Sequence, residues 1–120
     1  MSRMILTVDD SISMRQMLSV TLRRAGFEVV QWANGVEALN FARESRADLV
    51  LTDVNMPEMD GITLVKELRA LPSYRLTPML VLTTESTQEK KMLGKQAGAT
   101  GWIVKPFNPE QLLMTINRVL

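Results

Sequence analysis

Apolar residues in this chain follow two rhythms that alternate from end to end. Short continuous runs, such as Met4-Ile5-Leu6-Thr7-Val8 and Leu49-Val50-Leu51-Thr52, are bounded by polar residues. Runs of this kind mark strands covered on both faces. Between them the spacing lengthens to the helical period. Met14, Met17, Leu18, Thr21, Leu22 and Ala25 fall at i, i+3, i+4, i+7, i+8 and i+11, which is one helix face, and Gly26 follows as a C-terminal stop. Phe27 to Trp32 reads as the second strand, and Asn34-Gly35 turns the chain into a helix with Ala38, Leu39 and Ala42 inward.

The rhythm repeats three more times. A third strand spans about Ala47 to Thr52, Met56 to Gly61 is a loop, and Leu64, Val65, Leu68 and Leu71 mark the next helix face. Pro72 and Pro78 bracket a loop before the strand Met79-Leu80-Val81-Leu82. A helix over about Thr87 to Ala97 has only Met92, Leu93 and Ala97 as an apolar stripe. The fifth strand follows Gly101, and Pro109 opens a last helix with Leu112, Leu113, Ile116, Val119 and Leu120 inward. Five strand–helix units of about 20–30 residues predict one α/β domain over residues 1–120, with a doubly wound parallel sheet and helices on both faces.

Composition removes several chemistries. The chain has no histidine and no cysteine, which excludes a Ser-His triad, His or thiolate metal sites, disulfides and a phosphohistidine on this chain. Its net charge of +1 offers no broad basic face, so nucleic acid is not an expected partner. The apolar core before Asp9 is too short for a signal peptide, and no apolar stretch reaches the ~20 residues that span a bilayer. The expectation is a soluble, cytoplasmic protein.

The informative feature is where the strands stop. The first runs into Asp9-Asp10, the third into Asp53, the fourth into Thr83-Thr84 and the fifth into Lys105-Pro106. In an open parallel sheet these ends share one edge, the edge at which ligands bind. Bringing Asp9 and Asp10 beside Asp53 requires strands one and three to be neighbours. That requirement points to the flavodoxin-like order 2-1-3-4-5, an order adopted from that class of sheet because the sequence alone does not determine it. Three ionised carboxylates there carry −3, which a divalent cation and Lys105 bring to zero. Oxygen ligands without His or Cys favour magnesium, manganese or calcium over zinc. A carboxylate in such a pocket can act as the nucleophile in phosphoryl transfer, giving an aspartyl phosphate. Each residue also has a plain reading: Asp9 or Asp10 as a helix cap, Asp53 as a turn residue, Thr83 as strand filler and Lys105 as a surface lysine.

Taken in order, these residues resemble the receiver domain of two-component response regulators over all 120 residues. The loop Asp53-Val54-Asn55-Met56-Pro57-Glu58-Met59-Asp60-Gly61 and Ala97-Gly98-Ala99 are close to the family's wording. The resemblance implies that Asp53 accepts phosphate from a phosphohistidine on a partner kinase. It implies that Asp10, Asp53 and the main-chain carbonyl of Asn55 hold Mg²⁺ directly, with Asp9 acting through water. Lys105 would contact the phosphoryl group, Thr83 would move to bond it, and Lys105-Pro106 would be cis. Such a domain is not an enzyme beyond its own phosphorylation and dephosphorylation.

The chain looks most like the stand-alone chemotaxis type, because no output domain follows the fifth helix. Asn55 and Glu85 match the pairing of rapidly self-dephosphorylating chemotaxis regulators. The implied partners are a histidine kinase, the flagellar motor switch protein and a phosphatase, and the expected state is a monomer. The alternative within the family is a phosphate sink, or a receiver from another two-component pathway without motor output.

Three positions depart from the pattern. Thr84 is bulkier than usual, Trp102 stands where the switch aromatic is commonly Tyr or Phe, and Ser86-Thr87-Gln88 opens the fourth helix where motor-binding relatives often carry lysine. Lys90, Lys91 and Lys95 come later and read as a solvated face. Two readings from other classes fit less well. An aspartate-nucleophile phosphatase needs a second Asp where Asn55 stands, and a flavin carrier needs a Ser/Thr/Gly-rich loop where the two Asp lie.

Overall fold

The computed structural model describes residues 2–120. Five strands, β1 (Met4–Val8), β2 (Glu28–Trp32), β3 (Leu49–Thr52), β4 (Met79–Thr83) and β5 (Gly101–Val104), alternate with α1 (Ile12–Arg24), α2 (Gly35–Glu44), α3 (Gly61–Arg69), α4 (Gln88–Ala97) and α5 (Pro109–Val119). The strands form one parallel sheet in the order β2-β1-β3-β4-β5, the flavodoxin-like order expected if the acids are to meet. No helix among the described residues is long and apolar enough to cross a membrane.

Each helix begins where a polar side chain accepts a hydrogen bond from an otherwise unpaired first-turn N–H. The caps are Ser11, Asn34, Asp60, Thr87 and Asn108. Caps of this type are worth about 1 kcal/mol each. Because Ser11 caps α1, neither Asp9 nor Asp10 is spent on that task. The Pro72–Pro78 loop folds in part as a short 3-10 turn, Pro72–Tyr74.

Side chains alternate across the sheet, and the two resulting faces carry separate cores. Leu6, Val8, Val50 and Met79 pack with Ala38, Leu39, Leu64, Val65 and Leu68 of α2 and α3. Ile5, Leu49, Leu51, Leu80 and Leu82 pack with Leu18 and Leu22 of α1 and with Leu112 and Ile116 of α5. This explains the strands' unbroken apolar runs, since both of their faces are covered.

Some of the inward positions expected from periodicity lie outside. Met17 on α1 is half exposed and Ala25, just past its end, is exposed, whereas Leu71 falls beyond the end of α3 yet still packs against the core. On α4 only Ala97 of the expected stripe packs against the core. Met92 and Leu93 are 59% and 43% exposed, and the buried residue of that helix is Gly94. Periodicity marks side-chain hydrophobicity, and a glycine that admits a neighbour's ring leaves no such mark.

Two polar residues that periodicity passes over brace the far edge of the sheet. The Tyr74 hydroxyl is fully buried, donates to Ser45 O at 2.7 Å and accepts from Ala47 N–H at 2.9 Å. Burial pushes its pKa up, the proximity of Asp48 adds to that, and the Ala47 bond and Arg46 oppose it. Tyr74→Phe leaves the Ala47 N–H and the Ser45 carbonyl without that partner, so a loss of about 1–3 kcal/mol is expected in urea unfolding. An unchanged midpoint would remove Tyr74 as a brace. The Arg69 guanidinium donates to the carbonyls of Tyr74, Arg75, Thr77 and Gly98, joining α3, the 3-10 turn and the loop before β5.

Candidate functional site

The strand register continues one residue past the sheet and thereby aligns the polar ends. Asp9 N–H donates to Trp32 O, Asp53 N–H to Val8 O and Lys105 N–H to Thr83 O, at 3.1, 2.9 and 2.8 Å. Asp9, Asp53 and Lys105 are therefore set by main-chain ladders and not by mobile loop segments. One carboxylate oxygen each from Asp9, Asp10 and Asp53 lies within 4.8 Å of the others. Asp9 is buried, Asp53 is half-buried and Asp10 is exposed.

Lys105 crosses from the far side of the cleft and bridges two of the three acids. Its Nζ lies 2.8 Å from Asp9 Oδ2 and 3.0 Å from Asp53 Oδ2. Burial pulls the ammonium's pKa down, but the hydrogen bonds and charges of Asp9 and Asp53 together outweigh it, and the net shift is upward. Lys105 therefore stays cationic throughout the neutral range. The other carboxylate oxygens find main-chain donors: Asp9 Oδ1 accepts from Ser11 N–H at 2.9 Å and Asp53 Oδ1 from Val54 N–H at 2.7 Å. Arg15 also donates to the Asp9 main-chain carbonyl at 2.7 Å, a support that the sequence pattern does not signal. The peptide bond Lys105-Pro106 is cis.

The donor set suits a hard divalent ion. Every candidate ligand is oxygen, the acids outnumber the one ammonium, and Asp10 is exposed to solvent, so Asp9, Asp10 and Asp53 could hold such an ion. Such an ion, when bound, would supply positive charge for anionic oxygens in the cleft.

Thr83 sits at the end of β4 and is fully buried, and its Oγ1 accepts from Glu85 N–H at 3.3 Å. Asn55 Nδ2 donates to Glu85 Oε1 at 3.2 Å, so the two residues paired in the sequence reading meet in space. Thr84 is exposed and makes no hydrogen bond to the three acids among the described residues. Trp102 lies inward: its Nε1–H donates to Glu85 O at 2.8 Å, and its ring packs on α4 at Gly94.

Gly61 completes the site from below. Its N–H donates to Val54 O at 2.9 Å, and a Cβ at this position would overlap the Asp53 carbonyl oxygen. The sequence signal for it was the Asp60-Gly61 pair at the end of the loop after Asp53, a helix cap followed by the one residue that admits this contact.

The chain's relatives carry the same architecture. Residues 5–117 match the family model of the response regulator receiver domain. The structure superposes on the chemotaxis protein CheY4 of Vibrio cholerae with a TM-score of 0.96 and 55% identity, over 100% of both chains. It also matches the receiver domain of the Pseudomonas aeruginosa sensor histidine kinase PA1611, whose crystal structure has magnesium coordinated in the active-site cleft. There the TM-score is 0.91 and the identity 30%, over 98% of this chain and 97% of that one. The transcriptional regulatory protein SrrA of Staphylococcus aureus is 36% identical over 120 residues, and the chain spans about half, 48%, of its length. The chain belongs to the response regulator receiver domain family. Such domains are phosphorylation-controlled signalling modules that take phosphoryl groups from histidine kinases.

Proposed function

We propose that Asp53 is the phosphoacceptor of this receiver, that Mg²⁺ is its metal, and that the chain carries a chemotaxis signal to the flagellar motor. The observation that carries the reading is the Asp53 carboxylate itself. It is half-buried, bonded to the Lys105 ammonium and close to the Asp9–Asp10 pair, at the edge where a phosphodonor can approach. One Asp53 oxygen forms a P–O bond as the P–N bond of the donor's phosphohistidine breaks, and the imidazole leaves with the electron pair. Lys105 then turns its ammonium from the carboxylate to a phosphoryl oxygen. The Thr83 hydroxyl keeps a free proton to offer to another oxygen, and that movement shifts the domain toward its active state. Asp10, Asp53 and the Asn55 carbonyl would ligate the metal directly, and Asp9 through water. Asn55 and Glu85 orient the water that later hydrolyses the acyl phosphate.

Incubation with acetyl phosphate and magnesium, followed by intact mass measurement, should give one labile phosphoryl adduct, and EDTA should abolish it. No adduct under conditions that label an established receiver would end the proposal. The motor assignment rests on the likeness to CheY4 and is tested separately. The phosphorylated form should bind the flagellar switch protein more tightly than the bare form. The likeness to SrrA favours a second reading, the receiver part of a longer regulator or a phosphate sink. Labelling without any gain in switch-protein affinity would select it.

A further inference from the structure

Gly94 is the buried residue of α4, although nothing about a mid-helix glycine calls for burial. Its backbone is ordinary helix, so no unusual torsion demands glycine there. What stands beside it is the indole of Trp102. A Cβ on Gly94 would fall 2.7 Å from Trp102 Cζ3 and 3.0 Å from Cε3, closer than packed carbons approach. The ring therefore occupies the space that any other residue would fill. At its other end, the same ring donates Nε1–H to Glu85 O at 2.8 Å, and the Glu85 carboxylate holds Asn55 at 3.2 Å. Gly94, Trp102, Glu85 and Asn55 thus form an unbroken chain of contacts from the middle of α4 to the loop that follows Asp53.

We propose that Gly94 is a positioning residue for the phosphoryl site: the missing side chain admits the Trp102 indole beneath α4, and the indole fixes the Glu85–Asn55 pair. This deepens the phosphoacceptor reading and rests on it. The size pairing is specific to tryptophan. A smaller aromatic would not reach Gly94 so closely, and a larger residue at 94 would swing the indole off the Glu85 carbonyl.

Helix propensity and this pairing predict opposite results for Gly94→Ala. Alanine is the better helix former, so a glycine with no partner would be improved by it. If the indole needs the space, alanine displaces the ring and loosens Glu85. With 5-fluorotryptophan incorporated, the chain gives two fluorine resonances, from Trp32 and Trp102. Trp102→Phe identifies the second, and Gly94→Ala should shift or broaden that resonance alone. Decay of the aspartyl phosphate, followed by mass, should slow by about two- to tenfold, the factor carried by one net hydrogen bond. Trp102→Phe should slow it similarly, and the double variant should be no slower than either single one, because both remove the same bond.

An unmoved Trp102 resonance in Gly94→Ala would overturn the pairing. A moved resonance with unchanged decay would overturn the link to Asn55. If the wild-type chain takes no phosphate, the phosphoacceptor reading fails instead, and the fluorine spectrum still decides whether Gly94 seats the indole.

Discussion

Asp53→Asn should take up no phosphate from acetyl phosphate while leaving the fold intact. The amide is close in shape to the carboxylate, and its oxygen can still accept from Val54 N–H, which now donates to Asp53 Oδ1. Lys105 keeps its bond to Asp9 at 2.8 Å, so the ammonium is not stranded. Losing one of three crowded carboxylates also removes repulsion. Unfolding free energy should therefore change by no more than about 1 kcal/mol, the range of partly exposed ion pairs. Nucleophilicity, by contrast, vanishes with the carboxylate. Intact mass and a urea melt on the same preparation separate the two effects. An adduct of unchanged size on the variant would move the acceptor to another residue and dismantle the assignment of the cleft.

Gly61→Ala should produce the largest stability loss of any single methyl added to this domain. The added carbon would collide with the carbonyl oxygen of Asp53, a main-chain atom that cannot rotate away as a side chain does. That same oxygen accepts from the Thr52 hydroxyl at 2.9 Å, so moving it disturbs β3 as well. Overpacking of this severity costs about 3 kcal/mol. The site suffers with the fold, because a shift of about 1 Å in a reacting group can cost on the order of 100-fold in rate. The expected pattern is a lowered urea midpoint together with slower labelling by acetyl phosphate. A variant with wild-type midpoint and labelling would show that the loop yields freely and that Gly61 has no spatial role.

The strand order was adopted from the flavodoxin-like class of sheet, but the alternation of strand and helix and the convergence of Asp9, Asp10, Asp53 and Lys105 were legible in the sequence. Each depends on residues whose chemistry shows in their own letter: apolar runs for strands, acids and one lysine at the ends of those runs. What stayed hidden depends on partners that carry no letter of their own. Arg69 and Tyr74 bond main-chain atoms, so their roles do not show as charge pairs or apolar stripes. The inward seat of Trp102 depends on an absent side chain at Gly94, on a different element of the chain. Met92 and Leu93 misled in the opposite sense, since apolar letters on a helix suggest burial even where the helix turns them to solvent.

Arg69 differs from Lys105 in what it grips. Its main partners are main-chain carbonyls, which remain whatever side chains those residues carry. The bridge at Lys105 instead needs the side chains of Asp9 and Asp53. Substitution can thus dismantle the acidic rim one residue at a time, while the opposite end of the sheet answers to Arg69 itself.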